Sequence, residues 1–474
     1  LIFTSYSYFL FLVGVVALHW TLPRSLQNWL LIVASYVFYG LFRWDCALLL
    51  AAASVFTWAY ARWILSRNPS LGTLFPAILV VLAPLVWFKY AGFLLTTSAS
   101  VANLFGAGWT PRLGDLVLPL GISFYTFQAI AYLVDVASGE EALSSLPGFL
   151  LFQAFWPKLV SGPIVRMDEI RCQIEAPRTL DYLDVAEGSQ RILWGLAKKV
   201  LLADNLAPVA DMVFRAQSTL NAVDSVTGML AVGMAIYFDF SAYTDIALGS
   251  ARLVGFRLPE NFNWPYLARS PQEFWNRWHM TLSRWIRDYL FTPLSFASRN
   301  RPGLAPVWLM VSMAVCGLWH GAAWTFVAWG LWHGLLLVLN QTLLKPLWGS
   351  KELSGRPLRG LVAMALTFLL VQLGWILFRA DSLAQAWQVF QSILVWRGGL
   401  RPAVLREGSV LAVACFLAGL LLAQLVESRK PWLTRLAPHW IPALKIARPL
   451  LYAALILAII VLDQEATAFV YFQF

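Results

Sequence analysis

The residues with the clearest capacity for chemistry are two histidines in "CGLWHGAAWTFVAWGLWHG", residues 316–334. The tetrapeptide Gly-Leu-Trp-His ends once at His320 and again at His333, and the whole chain holds only five histidines. A buried imidazole suits general-base work on a hydroxyl, because its ordinary pKa lies near neutrality. A shared metal ion is the competing chemistry. On one continuous helix, at about 100° per residue, the two rings stand about 220° apart and point to different sides. A paired metal site favours i,i+4 spacing on one face, and too few other His, Cys or carboxylate residues lie nearby to complete a tetrahedral zinc site. No metal is expected. Gly317 and Gly321 flank His320 and permit close approach of helices or substrate. His333 runs on into "GLLLVLNQTLL", an ordinary apolar span. His320 is therefore the expected reactive residue, and His333 a packed or hydrogen-bonded one.

A third histidine lies in "PQEFWNRWHMTLSRWIRDYL". Its period predicts an amphipathic helix at the interface or folded into the membrane. Trp275, Trp278, Leu282, Trp285, Ile286 and Tyr289 share one face. Glu273, Arg277, Arg284, Arg287 and Asp288 share the other. His279 falls at the edge of the apolar face, where packing among tryptophans and a functional role are both open. The chain has no G-x-S-x-G elbow, Walker A loop or dinucleotide fingerprint, so nothing points to a serine hydrolase, an ATPase or a redox enzyme.

The elements that must position these residues are set by composition. Of 474 residues, 59% are hydrophobic and only 13% charged, against roughly 25% charged in globular proteins. Mean hydropathy is +0.66. Such a chain needs lipid as its solvent. The formal net charge of +10 falls mostly in loops beside apolar runs, which suits anionic lipid headgroups or an anionic cofactor better than nucleic acid. The N-terminal "LIFTSYSYFLFLVGVVALHW" reads as a first span rather than a removed signal peptide. Cys46, Cys172, Cys316 and Cys415 have no pairing or metal spacing and read as reduced packing residues.

Apolar segments predict spans near 5–22, 27–43, 45–65, 73–98, 116–137, 147–163, 190–214, 225–253, 303–319, 322–344, 360–379, 408–426 and 447–462. The shorter ones are candidates for re-entrant or interfacial helices. No repeat, linker or soluble domain interrupts them, so residues 1–474 read as one helical membrane domain. The loop from Arg252 to Arg301 is rich in arginine and is placed in the cytoplasm. Lys345, Lys351, Arg356 and Arg359 mark a second basic loop, and Arg429, Lys430, Arg435, Lys445 and Arg448 a third. If both are cytoplasmic, residues 303–344 form a two-span hairpin with His320 at or near its turn, and the last span ends outside. Asp239, Asp245, Gln128, Asp135, Lys158 and Arg379 interrupt apolar spans. Each can be explained by helix–helix pairing, but together they predict a polar interior passage. Pro119, Gly121, Gly162 and Pro163 are helix breakers of the kind tolerated where backbone lines a cavity.

The blocks "LPLGISFYTFQAIAYLVD", "VSGPIVR", "YFDFSAYTDIALGSARLVGFRLPENFNWPYLARSPQEFWNRWHMTLSRWIRDYLFTPL" and "GLWHGAAWTFVAWGLWHG" together resemble the membrane-bound O-acyltransferase superfamily. The nearest branch is the bacterial one that includes the alginate O-acetyltransferase membrane subunit. The resemblance covers nearly the whole chain. It implies an all-α polytopic fold of about eleven transmembrane helices plus re-entrant helices around a central tunnel. It implies no permanently bound cofactor, a cytosolic acyl donor, here acetyl-CoA, and passage of the acyl group across the bacterial inner membrane to an envelope or secreted polysaccharide. The family's essential histidine falls on His320. Its second histidine falls on His279, where WHMTLS carries Thr281 in place of the serine of many relatives. Arg277, Arg284 and Trp275 are the candidates for holding the donor. The C-terminal "TAFVYFQF" resembles an aromatic tail shared by envelope-acylation proteins, which makes Tyr471 a candidate acyl relay. An interfacial aromatic belt is its plainer reading.

The expected reaction has His320 removing a proton from an acceptor hydroxyl while His279 orients the donor or assists proton transfer. A separate periplasmic polysaccharide O-acetyltransferase is the expected partner. Cellulose or peptidoglycan are alternative targets to alginate. A solute or glycan transporter is the alternative from another class.

Overall fold

A computed structural model describes residues 3–67, 71–111, 114, 116–216, 220–344, 357–396, 402–428 and 449–462. Tyr471, the aromatic tail and most of the second and third basic loops lie outside the described residues. Every regular element among those residues is helical.

Among the described residues, six helices are long and apolar enough to cross a membrane: Trp44–Leu65, Gly72–Leu104, Ala222–Leu253, Pro302–His320, Trp324–Leu344 and Leu358–Arg379. Four further apolar helices are shorter: Tyr6–Thr21, Ile122–Ala137, Glu407–Gly419 and Pro449–Leu462. The expected count of about eleven full spans is thus not met by length alone. Two expected spans are broken pieces. Residues 147–163 fold as helices Leu146–Ala154 and Trp156–Leu159, with a loop after them. Residues 190–214 divide into Tyr182–Ala197, a π-helical turn Lys198–Ala203, and Asp204–Ala216 with Pro208 inside it.

Helices of the outer layer turn apolar side chains outward. Leu48, Val55 and Trp63 of Trp44–Leu65 are exposed, as are Leu79, Val80 and Trp87 of Gly72–Leu104. A broad apolar outer surface is what lipid requires. We label the elements that build the interior in chain order: α1 (Ile122–Ala137), α2 (Tyr182–Ala197), α3 (Ala222–Leu253), α4 (Met280–Ile286), α5 (Ala305–His320), α6 (Trp324–Leu339) and α7 (Pro357–Arg379). The central strut is α3, 89% buried over its apolar window. It starts at a side-chain cap, Asn221 Oδ1 accepting from the Asp224 N–H at 2.9 Å. Small residues let α2 lie close against it. A Cβ on Gly188 would meet the Gly249 carbonyl, and one on Gly249 the Gly188 carbonyl.

The charges expected to mark a polar passage are paired between helices instead. Asp239 on α3 takes a hydrogen bond from Lys199 at 2.8 Å, and Lys199 also reaches Asp204 at 2.8 Å. Asp245 is held by Arg191 at 2.6 Å and Lys198 at 2.5 Å. Tyr289 donates to Asp135 at 2.7 Å, Lys158 donates to Gln128, and Arg379 pairs with Asp211. Removing one partner of a buried pair costs about 3–5 kcal/mol, because an unpaired charge remains. These residues hold helices together, and none of them lines the cavities beside the histidines.

Two of the four cysteines do pack inside, Cys46 and Cys316. Cys172 and Cys415 are exposed, contrary to the packing role expected of them.

Candidate active site

His320 is the last residue of α5. The helix stops there because Gly321 is extended (φ −158°, ψ 146°), and α6 starts afresh at Trp324. The two Gly-Leu-Trp-His copies therefore sit on separate helices, so the angular separation expected of one continuous helix does not apply. The two helices form the expected hairpin. Reciprocal glycines set its spacing: a Cβ on Gly317 would strike the Phe326 carbonyl, and one on Gly330 the Met313 carbonyl. His320 is 3% exposed. Its ring is walled by Trp319 (centroids 4.9 Å), Trp329 (5.0 Å) and Phe378 (5.4 Å).

His279 approaches from the loop side, with ring centroids 6.5 Å from His320. The helix expected over 271–290 is interrupted at this residue. Helix Pro271–Trp275 ends, His279 takes a left-handed conformation (φ 39°, ψ 55°), and α4 begins at Met280. The expected apolar face is nonetheless buried at Trp275, Trp278, Leu282, Trp285 and Ile286. A left-handed conformation is costly for a residue other than glycine and persists only where surroundings enforce it. Here Asn261 does so. Its carbonyl accepts from the Met280 N–H at 2.9 Å, and its side-chain oxygen accepts from the Thr281 N–H at 3.3 Å and hydroxyl at 2.9 Å. The break moves His279 from the edge of an amphipathic helix to a wholly buried position.

The same asparagine sets the tautomer. The Thr281 N–H can only donate, so the Asn261 atom facing it is the oxygen. That oxygen stands 3.0 Å from His279 Nδ1, which must therefore carry the proton and donate it. Nε2 of the neutral ring is left with its lone pair and has no hydrogen-bond partner among the described residues. Thr281 also supports the surrounding backbone, since its hydroxyl accepts from the Ile164 N–H at 3.0 Å.

Two cavities lie beside this pair, and His320 lines the smaller of them. The larger, about 710 Å³, is lined by Arg284, Arg287, Gln272, Trp275 and Asn276 toward the basic loop, and by Met280 and Cys316 toward the histidines. Met280 adjoins His279, and Cys316 lies one turn before His320. The volume is within the range of small-molecule and cofactor sites. Two buried donors on its wall, Trp275 Nε1 and Ser312 Oγ, have no hydrogen-bond partner among the described residues. Charge near its mouth is partly compensated. Arg284 pairs with Glu169 at 3.0 Å and Arg287 with Asp288 at 2.6 Å. Burial alone would raise the Asp288 carboxyl, but hydrogen bonds from Arg287 and Arg166 outweigh it and hold it below the usual range. The smaller cavity, about 40 Å³, is lined by His320, Trp319, Phe124, Ser123, Lys89 and the Pro119–Ile122 turn. Of the expected helix breakers, Pro119 and Gly121 line it and Gly162 and Pro163 do not. Gly121 adopts φ 71°, and a Cβ there would strike the Leu159 carbonyl.

Of the donor candidates, Arg284 and Trp275 line the larger cavity. Arg277 does not, being held by Glu273 at 2.8 Å and the Asn263 carbonyl at 3.2 Å. His333 stands apart on α6, wholly buried between Phe274, Trp275, Trp329 and Trp375. No group of three or more His, Cys, Asp or Glu among the described residues could hold a metal ion. Asn261 and Lys89 escape a reading of the sequence. Lys89 carries a usable signal, a lone lysine in the apolar run "LVWFKYAGF". Asn261 carries none beyond its place in a long polar loop.

The profile of the membrane-bound O-acyltransferase family matches residues 141–347. A protein of Azotobacter vinelandii named "Probable alginate O-acetylase AlgI" is 39% identical over 396 residues, covering 81% of this chain and 76% of that one. A peptidoglycan O-acetyltransferase of Helicobacter pylori is 32% identical over 79% of this chain and 75% of its own. A teichoic acid D-alanyltransferase of Bacillus subtilis is 29% identical over 56% of this chain and 69% of its own.

Proposed function

Because the chain belongs to the membrane-bound O-acyltransferase family, and so is a multi-pass O-acyltransferase of the bacterial inner membrane, we propose that it moves acetyl groups from cytosolic acetyl-CoA across the membrane for O-acetylation of a polysaccharide. The observation that carries this reading is the placement of His320 on the wall of the smaller cavity, with the His279 ring 6.5 Å away and the larger cavity lined by Met280 and Cys316 beside the two histidines. An acyltransferase needs its donor and acceptor to reach one base from different directions. A transporter would need alternating access, often built on internal repeats, and none is visible in the chain.

The donor arm enters the larger cavity past Arg284 and Arg287. Its amide carbonyls are suited to the unpartnered Trp275 N–H and Ser312 O–H. At the inner end the acceptor hydroxyl attacks the thioester carbon while His320 takes its proton, and an oxyanion forms. Collapse breaks the C–S bond, giving an acetyl ester and a thiolate. The proton then returns from His320 to the thiolate, directly or through His279 Nε2, and free thiol leaves toward the cytosol. His279 can serve in that way because Asn261 commits its Nδ1–H elsewhere.

Alginate is the favoured polymer, since relatives named for its acetylation match this chain at 37–39% identity. Peptidoglycan is the second reading, favoured by the Helicobacter relative. A periplasmic O-acetyltransferase is the proposed partner that chooses the polymer, with Tyr471 as candidate relay to it. Cells carrying Tyr471→Phe test the relay. Loss of both polymer acetylation and acceptor-dependent thioester cleavage is expected, and full acetylation would remove Tyr471 from the path. The overall reading is tested in a strain lacking its own copy, where the wild-type gene should restore ester-linked acetate on the polymer and His320→Ala should not.

A further inference from the structure

The end of α5 leaves three carbonyls, Leu318, Trp319 and His320, with no residue ahead to continue the helix. Orphan carbonyls at a buried helix end need donors from elsewhere. In this chain they come from a different span. Gly72–Leu104 is interrupted by a π-helical turn, Val86–Tyr90. The extra residue in that turn brings Lys89 and Tyr90, neighbours in sequence, to bear on the same helix end. The Tyr90 hydroxyl donates to the Leu318 carbonyl at 3.0 Å. Lys89 Nζ donates to the Trp319 carbonyl at 2.6 Å, to the His320 carbonyl at 3.2 Å and to Ser123 Oγ at 3.4 Å. All three Lys89 partners are acceptors, which matches the three N–H groups of an ammonium.

Those three partners are neutral oxygens, whereas Lys198 and Lys199 each meet a carboxylate. A cation at a helix C-terminus is favoured by the helix dipole, and the carbonyls supply the negative ends that a buried ammonium requires. Lys89 also lines the smaller cavity together with His320 and Ser123. π-Bulges inside α-helices occur frequently at functional sites. An α-helical register through 86–90 would rotate Lys89 and Tyr90 away from their shared target.

We propose that Lys89 is a positioning residue for His320. Its ammonium, delivered by the π-helical turn, ties down the last two carbonyls of α5 and fixes where the His320 ring stands against the smaller cavity. Tyr90 completes the clamp one residue earlier. The proposal rests on the assignment of His320 as the base. Loosening the clamp should lower turnover without weakening donor binding, because the donor cavity is lined by other residues.

The test uses inverted inner-membrane vesicles that hold the full chain together with its export machinery and polymer acceptor, with radiolabelled acetyl-CoA, following thiol release under saturating and limiting donor. Lys89→Met is expected to lower kcat by about 100-fold, the scale of an ångström-level misplacement, with KM for acetyl-CoA changed by no more than about twofold. Lys89→Arg keeps the charge and the donors and should recover at least about a tenth of the lost turnover. Tyr90→Phe, which removes one bond and no charge, should cost less than Lys89→Met. The proposal is overturned if Lys89→Met retains kcat, or if Lys89→Met and Lys89→Arg lose activity equally and in step with thermal stability. His320→Ala in the same assay separates the two ideas. If it is inactive while Lys89→Met is not, only the positioning role fails; if it is active, the base assignment fails first.

Discussion

His320 and His333 follow the same three residues, Gly-Leu-Trp, and both are buried against the same indole, Trp329, at ring-centroid distances of 5.0 and 4.9 Å. Their settings then diverge. His320 ends a helix, beside an extended glycine, on the wall of a cavity, with a second histidine 6.5 Å away. His333 lies in the middle of α6, enclosed by Phe274, Trp275, Trp329 and Trp375, and lines neither of the cavities beside the pair. What separates the two rings is that the helix stops at His320 and a cavity opens beside it. The local tetrapeptide does not distinguish the two.

That contrast can be broken by substitution. His320→Ala should lower acetyl transfer by about 10³-fold or more, at the upper end of general-base contributions, with the amount of folded protein unchanged by size-exclusion chromatography. His279→Ala should cost about 10²-fold, since it removes an assisting group and leaves the base. Asn261→Ala acts one step further away, by releasing the His279 tautomer and the left-handed turn. About a tenfold loss in kcat is expected, together with a lower unfolding midpoint, because buried donors lose their acceptor. His333→Phe should change turnover by less than about threefold. It should hold or raise the thermal midpoint, because both ring nitrogens of His333 are buried without a hydrogen-bond partner among the described residues and an aromatic cage accepts a phenyl ring. A large loss of activity in a folded His333→Phe protein would erase the distinction between the two copies.

Much of this arrangement is legible in the residues. The apolar spans, the hairpin over 303–344, and the greater promise of His320 all follow from composition and from glycines flanking one histidine. The buried face Trp275, Trp278, Leu282, Trp285 and Ile286 is also readable from its period, although the helix carrying it is not continuous. The break at His279 is not readable. It depends on Asn261, eighteen residues before it in the chain, and periodicity carries no information about hydrogen bonds from a distant loop. The intramembrane charges mislead in the same way. A lone Asp239 in an apolar run reads alike whether it lines a passage or pairs with Lys199, because the partner is supplied by tertiary packing. Helix length is unreadable for a third reason: π-helical turns and short broken helices satisfy the hydropathy of a span without its length.

The claim that His320 is the base and His333 its inert neighbour is tested most directly by acetyl transfer from radiolabelled acetyl-CoA, measured on His320→Ala and His333→Phe proteins purified side by side. The account predicts that transfer falls to background in the first and stays near the unsubstituted rate in the second. Transfer that survives in His320→Ala, or that is lost equally in both folded variants, would contradict it.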